Sequence, residues 1–430
     1  MNIEELYKLY TVNKSVSTDS RNITKGDIYF ALKGYHFNGN KYASEALAKG
    51  ADFAIVDEQQ ETTDTRLIYS ENVLQTLQHL AGFHRSKFSI PIISITGSNG
   101  KTTTKELVHA VLATKYKTAV TFGNLNNHIG IPLTLLKIPA DVEIVVIEMG
   151  ANHRHEIEGY CSYTRPTHGL ITNCGKAHLE GFGGVEGVIK GKGELFDFLR
   201  ETNGTAFVNF DDEPVKQMGL QVHSFMSYGK IETGADVTGK VISSDPVLTV
   251  KIIEDVSKQI QTNLVGSYNL PNVLAAVAIG KYFNIDFQNS KHAIECYIPS
   301  NSRSQLLKKG TNTIILDAYN ANPSSMKAAI QNFADMKAAK KILVLGSMME
   351  LGDESENEHQ KLLELIAMYE WDDVLLVGDY FNFLQHSFNK FSTVQEAAAQ
   401  IGESNLKNAT VLIKGSRSMM MEKVLEAIPA

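Results

Sequence analysis

Short apolar runs alternate with amphipathic segments along most of the chain, and this rhythm predicts alternating strands and helices. Runs rich in β-branched residues at 90–95 and 144–147 predict buried strands, as do 169–172 and 205–208. Between the first two, residues 103–116 place their apolar side chains on one helical face. Because the strand runs are almost continuously apolar, we expect a largely parallel sheet that is buried on both faces.

The same pattern divides the chain into three units, at residues 1–85, 86–298 and 299–430. The first is a small α/β unit, with a helix predicted at 43–48 and a strand at 54–56. The second ends with a long Ala-rich helix. The third, after a linker that begins at Pro299, predicts a second doubly wound sheet of Rossmann type. Its strands are expected at 314–316, 342–345, 374–377 and 411–413.

Length, charge and cysteine content limit the class of protein. A chain of 430 residues is too long for one hydrophobic core. Its 41 Lys and Arg against 48 Asp and Glu, with no basic patch, disfavour nucleic-acid binding. We expect no leader segment at the start of the chain, and no apolar run reaches the roughly 20 residues of a membrane span. Three dispersed cysteines argue against a disulfide framework. We therefore expect a cytoplasmic enzyme.

The clearest chemical signal is the segment T-G-S-N-G-K-T-T, which follows a strand and opens a helix. Gly97 and Gly100 allow backbone N–H groups to turn toward a phosphate, Lys101 adds a charge, and Thr102 offers a hydroxyl to Mg²⁺. The spacing is shorter than in the usual phosphate loop, since Ile95 stands where its first Gly would lie. The alternative is a Gly-rich turn that binds nothing.

Two further side chains lie just after predicted strands, where open α/β sheets hold their ligands. Glu148 and His178 suit a Mg²⁺ ion between phosphate and protein, although each alone could be a helix cap or a loop residue. Downstream, Lys190, Lys192 and Glu194 alternate with two glycines in a predicted helix. Because each helical glycine costs roughly 1 kcal/mol, we expect a close approach of backbone or ligand there, with a solvated basic face as the alternative.

Nine motifs, in order from residue 19 to residue 418, resemble those of the Mur ligase family, so that the likeness covers essentially the whole chain. The branch they resemble most adds D-alanyl-D-alanine. Besides the phosphate loop and Asp19-Ser20-Arg21, these motifs are GDIYFALKG from residue 26, NLNNHIGIP from 124, EMGAN from 148, AHLEGFG from 177, the helix of Lys192, DAYNANP from 317 and KGSRS from 414.

The resemblance implies an ADP-forming ligase that makes an amide bond at the expense of ATP. A substrate carboxylate attacks the γ-phosphoryl group of ATP, and the amine of D-alanyl-D-alanine then displaces phosphate from the acyl phosphate. The three units would hold the UDP-N-acetylmuramoyl tripeptide, ATP and the amine substrate, respectively. The partners are then small molecules, the chain is expected to act as a monomer, and the third domain is expected to close about residues 299–304.

The resemblance also assigns roles to single residues. The expected catalytic residues are Lys101, His178 and Lys192. Two Mg²⁺ ions are expected on Thr102, Glu148, His178 and Lys192, the last as a carbamate formed with CO₂. ATP contacts are expected from Gly97, Ser98, Asn99, Gly100, Lys101, Thr102, Thr103, Asn269, Asn272, Arg303 and Asp317. Contacts to the UDP substrate are expected from Asp19, Ser20, Arg21, Lys33, Asn126 and Asn127.

Three alternatives remain open on the sequence. The family member that adds the third amino acid contains an Asp-Asn-Pro-Arg box, whereas in this chain Asn322-Pro323 is followed by Ser324 and not by Arg. Folylpolyglutamate synthetase lacks a UDP-sugar domain, whereas this chain has some 95 residues before its phosphate loop. A non-catalytic nucleotide-binding regulator would not need Glu148 and His178 together with Lys101. Whether the third peptide residue is diaminopimelate or lysine is not written in these motifs.

Overall fold

The structure is a computed structural model that describes residues 1–13, 15–59, 64–253, 258–300, 302–404 and 406–429. It contains three main sheets, one in each predicted unit, and the predicted α/β class with three units is confirmed. Residue Asn301, in the predicted linker, lies outside the described residues. In the part of the chain that the structure describes, no helix is long and apolar enough to cross a membrane.

The first unit is a four-stranded parallel sheet of order β1-β2-β5-β6, beside a small hairpin of β3 and β4. The predicted helix at 43–48 and strand at 54–56 are both present, the strand one residue longer. The elements are α1 (Ile3–Asn13), β1 (Val16–Ser17), β2 (Ile28–Phe30), β3 (Lys33–Gly34), β4 (Phe37–Asn38), α2 (Ala43–Ala48), β5 (Phe53–Val56), β6 (Leu67–Tyr69) and α3 (Val73–Arg85).

The second unit is built on a nine-stranded sheet whose elements run in the following order. They are β7 (Ile92–Thr96), α4 (Lys101–Leu112), β8 (Thr118–Val120), α5 (Gly130–Leu136), β9 (Ile144–Glu148), α6 (Glu156–Thr164), β10 (His168–Ile171), α7 (Leu179–Phe182), α8 (Val185–Glu201), β11 (Thr205–Asn209), α9 (Glu213–Gly219), β12 (Ser224–Lys230), β13 (Val237–Ser243), β14 (Thr249–Ile252), β15 (Gln259–Gln261), α10 (Leu270–Tyr282) and α11 (Phe287–Cys296).

The strand order of this sheet, β15-β14-β13-β12-β11-β10-β7-β9-β8, determines where a ligand can bind. From β7 the chain first builds β9 and β8 on one side, and then β10, β11 and β12 on the other, all in parallel. The topological switch point, where the strand order reverses direction, therefore lies beside β7. Open α/β sheets bind ligands at the carboxyl ends of the strands at such a point. The phosphate loop follows β7.

The predicted largely parallel sheet is confirmed, and it ends in an antiparallel edge, because β14 pairs antiparallel with both β13 and β15. This edge was not predicted. Its strands alternate buried and exposed residues, and in β14 Val250 and Ile252 are buried while their neighbours are only partly so. A strand covered on one face alternates in this way and lacks the continuous apolar run by which the others were found.

The third unit is a six-stranded sheet of order β16-β17-β21-β18-β19-β20, parallel except for the antiparallel edge strand β16. All four predicted strands are present and slightly longer. Its elements are β16 (Gln305–Lys309), β17 (Asn312–Asp317), α12 (Pro323–Asp335), β18 (Lys341–Gly346), α13 (Ser355–Ala367), β19 (Asp373–Val377), α14 (Asp379–Asn382), β20 (Asn389–Phe391), α15 (Val394–Glu403), β21 (Thr410–Lys414) and α16 (Val424–Ala427).

Candidate active site

A cleft of about 630 Å³ lies between the second and third units. Thirteen of the residues predicted from the sequence line it, and they come from both units. Those from the second unit are Ser98, Asn99, Gly100, Lys101, Thr103, Asn126, Asn127, Glu148, His178, Asn269 and Asn272, and those from the third are Arg303 and Asp317. Polar contacts join the two walls, since the Asn322 amide donates to Asn99 Oδ1 at 2.8 Å and Lys176 pairs with Glu358 at 2.7 Å.

The two glycines of the phosphate loop lie where a side chain could not fit. Gly97 has a φ of 139°, and a Cβ there would lie 2.0 Å from Thr172 Oγ1. Gly100 has a φ of 80° and ends the loop directly before Lys101, the first residue of α4. The residue that follows β10 also holds the phosphate loop in place, because Thr172 Oγ1 donates to the Asn99 carbonyl at 2.6 Å. This rigid loop at a helix N-terminus is typical of a phosphate-binding site.

Lys101 folds back over the phosphate loop. Its ammonium group donates to the carbonyl oxygens of Gly97 at 2.6 Å and Ser98 at 3.2 Å. Burial lowers the pKa of Lys101 to about 8, with Glu148 opposing this shift and Arg303 adding to it. Thr102, in the first turn of α4, is buried at 7% exposure and lies outside the lining residues of the cleft.

Glu148 ends β9 inside the protein, with 1% of its surface exposed. Its Oε1 accepts from the Asn126 amide at 2.7 Å, while Oε2 has no hydrogen-bond partner among the described residues. The nearest cation is the fully buried Lys105, whose Nζ lies 3.8 Å from Oε2. That ammonium group also donates to the Thr121 carbonyl and pairs with Glu106. Glu148 therefore presents one free oxygen of a buried carboxylate beside the phosphate loop.

This free oxygen fits the Mg²⁺ ion expected from the sequence. Among the described residues there is no group of three or more His, Cys, Asp or Glu placed to hold a metal ion. Mg²⁺ does not require one, because it commonly binds one or two carboxylates and completes its shell with substrate phosphates and water. The donors at hand are Glu148 Oε2 and the ring of His178, whose Nδ1 contacts an acid of the third unit.

His178 contacts an acid of the third unit, and no signal in the sequence points to this contact. Its Nδ1 lies 2.5 Å from Glu350 Oε2, and this contact lowers the pKa of the Glu350 carboxyl group below its usual value. Glu350 follows β18, 172 residues further along the chain. The contact therefore comes from the way in which the two sheets face each other.

Lys192 is buried in α8, with 1% exposure. Its ammonium group donates to the Ala151 carbonyl at 2.9 Å and lies 4.9 Å from the centre of the Phe182 ring. Burial, with a smaller effect of Lys101, lowers the pKa of Lys192 to about 7. The same ring explains why the neighbouring residue 191 is a glycine, since a Cβ on Gly191 would lie 2.5 Å from Phe182. A close approach is thus present, but it comes from side chains, Phe182 at Gly191 and Met218 at Gly193, and not from the backbone or ligand that the sequence suggested.

Asn269 and Asn272 lie at the start of α10, against the end of the phosphate loop. The Asn272 amide donates to Asn269 Oδ1 at 2.8 Å, and its own Oδ1 accepts from Thr104 Oγ1 at 3.0 Å. Both side chains line the cleft and are almost fully buried. They form one edge of the pocket beyond the phosphate loop.

Arg303 and Asp317 lie on the opposite wall of the cleft. The Arg303 guanidinium group stacks on the Tyr319 ring at 3.6 Å, and its buried Nε has no hydrogen-bond partner among the described residues. Asp317 accepts from the Ser304 backbone at 3.0 Å and pairs with the buried Lys414 at 2.6 Å. The Arg303 N–H groups are thus available to an anionic ligand.

The predicted UDP contacts divide into two groups. Asn126 and Asn127 line the cleft, and Asn127 Oδ1 also accepts from the backbone at the start of α5. The other four lie in the first unit and outside the lining residues of this cleft. Asp19 pairs with Arg21 at 2.8 Å, the Ser20 carbonyl accepts from Lys49, and Lys33 pairs with Asp57 and Glu58.

Sequence reasoning gave no role to Lys414, which lines the cleft, or to Lys105 and Glu350, which contact the lining residues Glu148 and His178. Lys105 lies only four residues after Lys101, one turn along the same helix, and that spacing could have pointed to it. Glu350 had no such signal.

Comparison with known proteins covers all three units. The Mur ligase middle domain matches residues 95–280, the Mur ligase family catalytic domain matches 13–92, and the Mur ligase glutamate ligase domain matches 302–417.

Full-length relatives agree with these matches. UDP-N-acetylmuramoyl-tripeptide–D-alanyl-D-alanine ligase of Escherichia coli (strain K12) is 34% identical, over 96% of this chain and 93% of that protein. The crystal structure of MurF from Acinetobacter baumannii superposes with a TM-score of 0.86 at 30% identity, covering 96% of this chain and 92% of that one. MurF ligase from Thermotoga maritima, solved in complex with ADP, gives 0.84 at 26% identity, covering 97% of each chain.

Proposed function

The chain belongs to the Mur ligase family, and we propose that it joins D-alanyl-D-alanine to a UDP-N-acetylmuramoyl tripeptide. This reaction consumes ATP and yields ADP, phosphate and a peptidoglycan precursor with a pentapeptide. The observation that carries the proposal is the full-length likeness to ligases of that name, together with a phosphate loop that faces a second α/β unit across a cleft.

In the first half-reaction, the terminal carboxylate of the tripeptide attacks the γ-phosphoryl group of ATP. The phosphate loop binds the phosphates through its backbone N–H groups, while Lys101 stabilises charge on the transferred group. Asn269 and Asn272 contact adenine, and Asp317 contacts the ribose. Arg303 then meets the phosphates from the opposite wall.

In the second half-reaction, the amine of the dipeptide attacks the acyl phosphate and displaces inorganic phosphate. Because an acyl phosphate is hydrolysed by water, the two walls of the cleft must close around it. We propose residues 299–304 as the hinge. Ser302 and Ser304 both have a left-handed φ, of 55° and 47°, which supports a strained connection there.

We propose that the enzyme uses Mg²⁺ ions. Thr102, Glu148 and His178 would hold the ions, and the unpartnered Glu148 Oε2 supports this assignment. The ions, when bound, neutralise charge on the phosphates. Measuring Mg²⁺ affinity by calorimetry in the presence of ADP tests the assignment, because Glu148→Gln should weaken it while leaving the fold intact.

We also propose that Lys192 is carbamylated. Its neutral amine reacts with CO₂ to give a carbamate and a proton, and a pKa of about 7 leaves much of the amine neutral at physiological pH. The test is carbon-13 NMR with labelled bicarbonate on the wild type and on Lys192→Ala. A carbamate signal from the wild type alone is expected, and an unmodified Lys192 in a fully active enzyme would refute the assignment.

Asp19, Ser20, Arg21 and Lys33 bind the uridine nucleotide end of the substrate, with Asn126 and Asn127 nearer its peptide. One chain suffices, because a single copy supplies both walls of the cleft. The enzyme acts in the cytoplasm, where its two nucleotide substrates are made.

Phosphate release with a panel of UDP-muramoyl peptides tests the function. We expect release to require ATP, a tripeptide ending in diaminopimelate or lysine, and D-alanyl-D-alanine. Ligation of a free amino acid to a UDP-N-acetylmuramoyl dipeptide would favour the family member that adds the third amino acid. Activity on folates would favour folylpolyglutamate synthetase. Nucleotide binding without dipeptide-dependent turnover would favour a regulator, and Lys101→Ala serves as the inactive control.

A further inference from the structure

Glu350 is held at the boundary between the second and third units in a strained conformation. Its backbone has a φ of 62°, and His178, which its carboxylate contacts, has a φ of 52°. A left-handed backbone is uncommon for residues other than glycine and is retained mainly where the surrounding structure enforces it, often at functional sites. Here two such residues contact each other at the boundary of the two units, where His178 lines the cleft and Glu350 lies just outside its lining residues.

The loop that carries Glu350 is anchored on both preceding residues. The backbone N–H of Met348 donates to Nε2 of the buried His359 at 3.0 Å, and that of Met349 donates to Ser416 Oγ at 2.9 Å. The other ring nitrogen of His359 bonds to the Ser355 carbonyl at 2.7 Å, which fixes the ring. The position of the Glu350 carboxylate is therefore set by the core of the third unit.

The four acids that line the cleft in the described part of the chain each accept a hydrogen bond within the protein, and the one free oxygen of Glu148 is the atom assigned to Mg²⁺. Glu148 accepts from Asn126, Glu156 from two backbone N–H groups, Asp212 from Val215 and Cys174, and Asp317 from Lys414. Glu350 has no lysine or arginine partner among the described residues, and its side chain keeps 55% of its surface exposed. This half-exposed acid of the third unit can therefore take up a further cation at the boundary.

The amine substrate brings such a cation, because the dipeptide carries an α-ammonium group at neutral pH. We infer that Glu350 binds this ammonium group and so positions the dipeptide beside His178. The nitrogen then loses a proton to solvent, attacks the acyl carbon as a neutral amine and displaces inorganic phosphate. The inference rests on the proposed function, and it assigns the recognition of the amine to one residue of the third unit. A charge-assisted hydrogen bond of this kind is strong enough to set substrate affinity.

The test compares Glu350→Gln with Glu350→Asp, and with Glu356→Gln as a matched control that removes an exposed acid six residues away. For Glu350→Gln we expect the KM for D-alanyl-D-alanine to rise about 10- to 100-fold. The KM values for ATP and the UDP-tripeptide should not change. Glu350→Asp should restore part of the affinity, and Glu356→Gln should behave as the wild type.

A second readout separates the half-reactions. Hydroxylamine, which is uncharged at neutral pH, can trap the acyl phosphate without an ammonium site, so Glu350→Gln should form hydroxamate at the wild-type rate. An unchanged dipeptide KM in Glu350→Gln, or a rise of all three KM values together as from a loosened interface, would overturn the inference. A wild-type enzyme that does not use the dipeptide at all would refute the proposed function instead.

Discussion

Replacing Gly100 by alanine should disrupt the end of the phosphate loop through one neighbour, Asn272. A Cβ at position 100 would lie 2.6 Å from Asn272 Oδ1. That oxygen accepts from Thr104 Oγ1, and the same amide donates to Asn269 Oδ1, so the side chain cannot move without breaking buried hydrogen bonds. The backbone adds to the cost, because φ at Gly100 is 80°.

The magnitude follows from these two parts. A left-handed backbone costs an alanine about 1–2 kcal/mol. Each buried hydrogen bond that breaks costs about 1–1.5 kcal/mol more, which gives about 2–5 kcal/mol for Gly100→Ala. Gly234 provides the matched control in the same unit, since its φ is 65° and no other atom lies within 4 Å of its added Cβ. Gly234→Ala should therefore cost only the backbone part.

Thermal unfolding monitored by calorimetry measures the difference in stability between the two glycine variants. For a unit of this size, 1 kcal/mol shifts the midpoint by about 2–4 °C, so Gly100→Ala should melt about 2–12 °C below Gly234→Ala. Its KM for ATP should also rise. The double variant Gly100→Ala/Asn272→Ala should lose less than the sum of its single variants. Equal midpoints for the two glycine variants would refute the reasoning.

Four further predictions concern charge and motion. Lys101→Ala should keep the thermal midpoint and lose about 3–4 kcal/mol of transition-state stabilisation, and near-normal ligation would contradict the phosphate-loop assignment. Lys105→Met should cost about 3–5 kcal/mol, because it leaves the buried Glu148 carboxylate uncompensated, whereas an unchanged midpoint would contradict this. Burial lowers the pKa of Lys192 from 10.5 to about 7, so between these values the unfolded chain binds a proton that the folded chain does not. In bicarbonate-free buffer, wild-type stability relative to Lys192→Met should rise across that window by up to about 5 kcal/mol, and parallel profiles would refute it. If residues 299–304 form the hinge, X-ray scattering should change on adding an ATP analogue with UDP-sugar, and identical profiles would count against it.

Much of the site could be predicted from the sequence because parallel strands bring distant residues to one edge. Each of Lys101, Glu148 and His178 follows or ends a strand that an apolar run had identified, and all three line the same cleft. The strand order could not be predicted, but the edge at which the residues meet did not depend on it.

What escaped prediction depends on how separate elements face each other. Periodicity marks Lys105 as a polar position of α4, yet the residue is fully buried because the Thr121 carbonyl and Glu106 satisfy its ammonium group. The contact of His178 with Glu350 joins two sheets, and no pattern within either sheet reports their relative placement. The antiparallel edge was missed because half-exposed strands carry a weaker apolar signal.

The packing of α3 has a consequence for how this chain folds during its synthesis. The sheet of the first unit is complete at Tyr69, but α3 also packs on α5 and α6 of the second unit. Its buried Arg85 donates to the carbonyl oxygens of Thr164 and Arg165, some 80 residues further on. A nascent chain that ends before these carbonyls leaves a guanidinium group and an apolar helix face uncovered. We therefore expect the first unit to remain incompletely stable on the ribosome until residue 165 has emerged, so that the first two units fold as one.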